Sequence, residues 1–535
     1  MEVKRFQSGK FPYSYKNEIS ALIESESGVT LKNHGGKKYR VCLAYPNTYH
    51  VGMSSHGFRT IYALINQRDD ALCERAFVPE PDIYDEFKRT DTVLFSYESL
   101  TPLTSFDIIA FSVSYENDYL NILKILDLAK IPLFAKDRTE THPLVIMGGP
   151  CAFMNPEPLA PFFDVVCVGE GEPIIGIFFS KLKNSTGKLE FLKSLSGTDG
   201  FYIPDEIPQK VKRVYVKDLN TLSLPSQLIT ENTEFSNMYL VEAMRGCPWK
   251  CRFCAISSIY GPPRKRQFYS VMEEIERVKP YCLKVGLIGP SLTDYPRLED
   301  VLSAGGVEFS ITSLRASRKS GEILPLMKEK QSVSIAPEAG SERLRRVINK
   351  KITHEDIINT CRLIFENGIS LLKLYFMIGL PTETHTDILE IISLVREVRA
   401  LSKRGHISLS VSPFVPKAFT PFQWHPMESS QVVKERLKTL KSALKKDGIQ
   451  VHHDTAGLAY VEGFFARSGK EAAQVLCIML KRKLNLKAAV AEAHVDYEKT
   501  LFGKLTFDSP LPWDFIDSTT ADKQTLWNDY IVAIS

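Results

Sequence analysis

The segment RGCPWKCRFCAISS places three thiols, Cys247, Cys251 and Cys254, within a few residues of one another. Their spacing suits three corners of a four-iron four-sulfur (4Fe-4S) cube whose fourth iron has no protein ligand. An iron left open takes a ligand directly, and a low-potential cluster then passes that ligand one electron. Structural zinc instead takes four closed ligands, usually as two pairs, and the nearest later thiols, Cys282 and Cys361, stand alone. Three buried free thiols would leave Arg245, Gly246, Pro248 and Phe253, the aromatic just before the last cysteine, without a role.

The cysteine loop needs a rigid base, and the apolar run 239–243 supplies one as a strand that delivers the loop at its end, followed by a helix over 271–278. Chemistry at a strand's carboxyl end is where barrel enzymes hold it. Further strands at 285–288 and 371–378, the alternating FSITSLRA and the segment SIAPEAGSERLRR continue a partial (β/α) barrel, closed by 407–427 with its proline-rich loop carrying Lys417, Phe422 and Trp424. Alternation points Ser310, Thr312 and Arg315 to one side or rim. Glu338 stands at a strand end, free to cap or to pair with Arg343, and Ser341 is a helix-cap candidate.

Upstream, strands at 39–45, 107–113, 143–147 and 164–168 alternate with a helical period over 119–129, the pattern of a parallel, doubly wound α/β domain binding ligands at its strand ends. Two of those ends carry glycine turns, Gly148 with Gly149 and Gly169 with Gly171, where backbone approaches a bulky ligand closely. Tight turns need glycine in any such fold, so the turns alone do not identify a ligand. The expected organisation is a lead-in over 1–38, a Rossmann-like domain over 39–185, a connector over 186–233, the barrel over 234–427 and a helical domain over 428–535 whose helices pack over the barrel mouth. In that last part His452, His453 and Asp454 read as a loop rather than a metal site, and Trp513, Trp527 and Tyr530 as packing aromatics.

At 535 residues and a formal charge of +4, the composition is that of an ordinary multidomain globular protein. The basic runs 264–266 and 481–483 read as solvated faces rather than a nucleic-acid surface. There is no signal-type amino terminus and no run of about eighteen apolar residues, so no membrane span is expected. Ten cysteines without a framework suit a reducing compartment, the cytoplasm.

Taken together, the cysteine segment, APEAGSERLR, YFMIGLPTET and FVPKAFTPFQW resemble the radical SAM superfamily, and the glycine turns ahead of them resemble its cobalamin-binding-domain type. The resemblance covers most of the chain and says little about substrate. It implies that Cys247, Cys251 and Cys254 hold a 4Fe-4S cluster, and that Phe253, Gly289, Ser291, Ser310, Glu338, Gly379, Leu380 and Pro381 contact S-adenosylmethionine. For cobalamin it implies Asn47, Gly52, Gly148, Gly149, Gly169 and Gly171. The usual Gly-Gly-Glu is replaced by GPSLTD, and the Asp-x-His-x-x-Gly element with a cobalt-binding histidine is missing, His50 and His56 having the wrong neighbours.

The expected enzyme reductively cleaves S-adenosylmethionine to a 5'-deoxyadenosyl radical for cobalamin-dependent methylation of an unactivated carbon. It is served by an external one-electron donor, and its substrate is a small molecule or lipid ahead of nucleic acid. Alternatives are a non-methylating radical SAM enzyme performing oxidation, rearrangement or carbon–carbon coupling with the amino-terminal domain as scaffold, and a nonenzymatic redox or cobalamin sensor. Methylthiolation of RNA calls for a second cluster, for which Cys42, Cys73, Cys151 and Cys167 are too dispersed. No side chain is assigned a catalytic role.

Overall fold

A computed structural model describes residues 11–28, 36, 38–205, 210–222, 227–311, 313–327, 332–453, 455–517 and 520–535. The amino-terminal sheet is built from β1 (Tyr39–Tyr45), β2 (Ala71–Phe77), β3 (Ile108–Ser112), β4 (Leu144–Gly148), β5 (Val165–Cys167) and β6 (Phe201–Tyr202). Its spatial order is β2-β1-β3-β4-β5-β6, parallel except for β6. That order reverses direction between β1 and β3, which makes the crevice outside their carboxyl ends the natural ligand position.

Strand β2, ALCERAF, is buried along its whole length although Glu74 and Arg75 sit in its middle. Arg75 is held by Glu26 at 2.7 Å and Glu98 at 2.6 Å, and Glu74 accepts from the Ser96 and Ser99 hydroxyls. A buried charge so paired is tolerated, whereas removing one partner costs about 3–5 kcal/mol. Glu26 comes from the stretch expected to be a bare lead-in, and that expectation is corrected: the helix Tyr13–Glu24 folds onto this domain through Tyr15 and Ile19. The connector is corrected as well. It contributes the helix Lys188–Leu195 and β6 to the amino-terminal unit, so that unit continues past residue 185.

After β7 (Val211–Lys212) comes the barrel, formed by β8 (Tyr239–Glu242), β11 (Lys284–Ile288) and β12 (Glu308–Ser310) in one sheet. A short hairpin-like pair, β9 (Met244–Arg245) and β10 (Arg264–Lys265), brackets the cysteine loop. A second sheet runs β13 (Ser313–Leu314), β14 (Ser332–Glu338), β15 (Leu371–Ile378), β16 (His406–Pro413) and β17 (Gln450–His453). Every neighbour in both sheets is parallel and chain order equals spatial order, the arrangement of an open β/α barrel. Buried and half-exposed residues alternate along β14 and β16, which is why those strands are legible as alternation.

The barrel does not stop at 427. The helix Ser430–Lys445 packs on His385–Ala400 in its outer layer, and β17 adds a strand, so His452 and His453 lie on the sheet rather than in a loop. Thr312 and Asp454 lie outside the described residues. The later helices pack on both domains: Lys523–Ile534 lies against the segment 421–424 and Glu342–Val347 of the barrel. Ala456–Arg467 packs on the segment 116–118 and Ala472–Arg482 on Tyr119–Leu128, both of the amino-terminal domain. Near the end, β18 (Ile516–Asp517) pairs with β7. Among the described residues no helix is long and apolar enough to cross a membrane.

Candidate functional site

The cysteine loop leaves β8 and has little regular structure of its own between Gly246 and Cys254, with Gly246 (φ +76°) and Lys250 (φ +51°) in left-handed conformation. Its shape is therefore held from outside. Asn349 donates to the Lys250 carbonyl at 2.9 Å, the Arg252 amide donates to the Ile348 carbonyl at 3.0 Å, and the Phe422 amide donates to the Arg252 carbonyl at 3.3 Å. Trp249 Nε1 donates to Asp294 Oδ2 at 2.5 Å and to Ser291 Oγ at 3.2 Å, tying the loop to the turn after β11. The Arg315 guanidinium sits 3.7 Å from the centre of the Trp249 ring, a cation–π stack.

All three thiols are half-buried. Burial pushes the Cys251 thiol up and the Cys254 thiol to about 12, while the nearby cations Lys350 and Arg315 pull Cys251 the other way. Such thiols stay protonated until a metal displaces the proton, as metal coordination does outright. Among the described residues no three His, Cys, Asp or Glu side chains converge closely enough to hold a single ion. Thiols that each serve a separate iron of a cube need no such convergence, so the half-buried trio on a tethered loop fits a cluster.

The other expected cofactor contacts distribute around the same strand ends. Gly289 follows β11 and its missing side chain makes room for Met244, 2.5 Å from where a Cβ would lie. Ser291 is already engaged with Trp249 and Asp294. Ser310 ends β12, half-buried. Phe253 is half-buried and packs against the apolar cluster shared by the amino-terminal domain, the barrel loops and the later helices. Glu338 ends β14 with φ +67°, a left-handed conformation that costs a non-glycine residue about 1 kcal/mol or more and concentrates at functional sites. It pairs with Lys350 at 2.9 Å rather than with Arg343, which instead reaches Asp387 at 2.5 Å and Thr382. In the turn after β15 the Gly379 and Leu380 amides donate to Glu383, and Leu380 and Pro381 are buried. Glu383 is held by Arg436 at 2.8 Å, yet burial raises its carboxyl to about 7.

A cavity of about 570 Å³ opens between the two domains. Gly148, Gly149, Gly169 and Gly171 line it from the ends of β4 and β5, Ser112 and Ser114 from the end of β3, and Met244, Gly246 and Gly289 from the barrel side. An apolar arm runs down one face of the sheet past Leu43, Ala110, Ile146 and Phe178. At the barrel end, Arg245, two residues before Cys247, bridges Glu170, Glu172 and Glu242 at 2.7 to 2.8 Å, so one side chain spans the domain boundary. Asn47 and Gly52 fall away from this cavity: Asn47 donates to Asp118 at 2.8 Å, and Gly52 is packed under the Phe77 ring. His56 lines the cavity instead. Its Nδ1 is shielded from solvent without a partner, and burial lowers its pKa, so the ring is neutral at pH 7.

Comparison with known proteins bears on the same two regions. A family model described as "Radical SAM proteins, N-terminal" matches residues 57–204, and one described as "Radical SAM superfamily" matches 241–395. Uncharacterized protein MJ0966 of Methanocaldococcus jannaschii is 32% identical over 445 residues, covering 82% of this chain and 90% of that one. The chain belongs to the radical SAM superfamily. Radical SAM membership implies a 4Fe-4S cluster, S-adenosylmethionine and an electron donor. Other matches are partial. Uncharacterized methyltransferase PH0819 of Pyrococcus horikoshii is 25% identical over 54% of this chain and 65% of its own. A tRNA-2-methylthio-N(6)-dimethylallyladenosine synthase of Sulfurihydrogenibium sp. is 24% identical over 39% of this chain and 52% of its own. Among solved structures, the cobalamin-dependent S-adenosylmethionine radical enzyme OxsB, with aqua-cobalamin and S-adenosylmethionine bound, has a TM-score of 0.48 at 16% identity, over 67% of this chain and 52% of that one.

Sequence reasoning named His56 and Arg245 but not their places on the cavity, and missed the apolar arm. The near-continuous burial of β1, β3 and β4 signals core, and nothing in a sequence distinguishes a core face packed by helices from one left partly open. Arg245 was readable as part of the cysteine segment, but its three carboxylate partners come from two domains.

Proposed function

We propose that this radical SAM protein is an enzyme that reductively cleaves S-adenosylmethionine at a cluster held by Cys247, Cys251 and Cys254, and that it carries cobalamin in the interdomain cavity for methylation of an unactivated carbon. The observation that carries the reading is the shared cavity: it lies at the reversal point of the amino-terminal sheet and extends to Gly246, the residue before Cys247. When bound, the cluster supplies one electron to the sulfonium and cobalamin supplies a methyl group.

The chain's own residues then bind and orient. Trp249, Arg252 and Asn349 hold the cysteine loop, and Glu338 and the Gly379 turn offer polar and backbone contacts for S-adenosylmethionine. Four glycines leave backbone bare toward the cavity, and His56 presents a neutral ring whose Nδ1 has no hydrogen-bond partner, the kind of unsatisfied group a polar ligand completes. The methyltransferase name of PH0819 agrees with methyl transfer. The synthase-type second cluster finds no support, because Cys42, Cys73, Cys151 and Cys167 are each 8% exposed or less within the packed core.

Anaerobic reconstitution with iron, sulfide and hydroxocobalamin, followed by measurement of bound cobalamin and of 5'-deoxyadenosine after reduction, tests this. Both near one per chain support the full reading. Deoxyadenosine without bound cobalamin leaves a radical SAM enzyme with a scaffold domain, and a fully loaded protein that forms none points to a sensor.

A further inference from the structure

The helix Lys523–Ile534 lies far from the cysteine loop in sequence and touches it in space. Arg252 stands between Cys251 and Cys254, and its Nε and Nη2 donate to Asp529 of that helix at 3.0 and 2.8 Å. The remaining guanidinium nitrogen, Nη1, donates to the Arg346 and Val347 carbonyls at 3.1 and 2.7 Å, capping the end of the helix Glu342–Val347. With its main-chain bonds to Ile348 and Phe422, Arg252 is held on every side, and only Asp529 takes two of the three guanidinium nitrogens.

A second route joins the same helix to the same residue. Trp527 and Tyr530 pack on Trp424, with ring centres 5.1 and 6.1 Å apart, and Tyr530 hydroxyl meets His425 Nδ1 at 3.1 Å. Those partners belong to the segment 421–425, whose Phe422 amide holds the Arg252 carbonyl. A fork held by a carboxylate keeps one orientation, whereas one facing only carbonyls is free to swing.

We propose that Asp529 is a positioning residue for the cluster: by fixing Arg252 it fixes the spacing of Cys251 and Cys254, so that the final helix completes the cluster site. This rests on the assignment of those cysteines as cluster ligands. Residues that orient metal ligands typically contribute about 10- to 100-fold to metal retention when removed.

The test uses the full chain, reconstituted anaerobically, as wild type, Asp529→Asn, Asp529→Glu and Arg252→Lys. Two quantities are read: the rate of iron release to a ferrous chelator, from the loss of cluster absorbance, and the thermal midpoint of each metal-free protein. Asp529 is 38% exposed, so the metal-free Asn variant should melt with wild type. Expected are about tenfold faster iron release for Asp529→Asn and Arg252→Lys and partial recovery in Asp529→Glu. Wild-type release rates in both Asp529→Asn and Arg252→Lys overturn the proposal. So does faster release accompanied by an equal fall in the metal-free midpoint that Glu does not restore, since that is a packing defect. A wild-type protein that assembles no cluster overturns the ligand assignment itself, and the proposal with it.

Discussion

Gly148 and Gly149 are neighbours that line one cavity for different reasons, and substituting each separates ligand binding from folding. A Cβ on Gly148 would meet its nearest atoms, Cys167 Cβ and the Phe111 carbonyl, only at 4.0 Å, ordinary contact. Gly149 has φ +94° and ψ 172°, a region closed to other residues, and a Cβ there would sit 2.6 Å from the Val113 carbonyl oxygen. Gly148→Leu therefore extends carbon into the cavity without disturbing the backbone, and should melt at or slightly above wild type. If cobalamin fills the cavity, the added carbons overpack it by about 1–3 kcal/mol, or roughly 5- to 150-fold in Kd. Gly149→Ala combines about 1–3 kcal/mol of backbone strain with the close contact, about 3 kcal/mol in all. For a domain of this size that lowers Tm by about 6–12 °C. The assays are thermal unfolding of the metal-free proteins and equilibrium dialysis against hydroxocobalamin. Wild-type affinity in Gly148→Leu would refute the placement of cobalamin in this cavity, and a wild-type Tm in Gly149→Ala would refute the close approach of the two loops.

Lys417 is held by Glu116 at 2.6 Å and Glu462 at 2.8 Å, one from each flanking domain, and Lys417→Met should lower stability by about 3 kcal/mol in urea unfolding by stranding the buried Glu116 carboxylate beside the half-buried Glu462. The Glu383 carboxyl, raised from 4.5 to about 7 by burial, keeps a proton that the unfolded chain releases, so its stabilisation is full below pH 4.5 and lost as pH rises through 7. Glu383→Gln should flatten the fall in stability across that window, a slope of up to about 1.4 kcal/mol per pH unit; an unchanged slope would place the proton elsewhere. Cys251→Ala should abolish the cluster absorbance and deoxyadenosine formation while circular dichroism stays that of wild type, and an unfolded variant would mark a structural metal instead. His56→Phe keeps an aromatic ring, one atom larger, but removes both nitrogens, and should weaken cobalamin retention in the same dialysis without lowering Tm.

The parts legible in the sequence are those whose cause is local. The run LLKLYFMI and the loop RGCPWKCRFC announce themselves because alternation and thiol spacing are properties of adjacent residues. Strand β2 did not, since Glu74 and Arg75 read as surface until Glu26, Glu98 and two serines are known to surround them. The strand QVHH is four residues long and half-exposed, with no apolar run to betray it. Glu338 is legible for its position at a strand end, but its left-handed backbone and its partner Lys350, beyond the next helix, are not. Asn47 and Gly52 follow a strand as cofactor contacts would, but Asn47 is engaged by Asp118 and Gly52 sits in the helix Tyr49–Ser54 under Phe77, away from the cavity.

The pairing of β7 with β18 sets an order on the chain's birth. Val211 must wait for Ile516 to complete its ladder, since until then its strand meets only the Gly200 amide through Lys212, and the helix Tyr119–Leu128 must wait for Ala472–Arg482 to cover it. At ribosomal speeds of about 5–20 residues per second, the roughly 300 intervening residues take on the order of 15–60 s to emerge. Through that interval the first domain stands with part of its apolar surface bare, a substrate for chaperones and for its own aggregation. Slowing translation late in the message should lower soluble yield more than slowing it early.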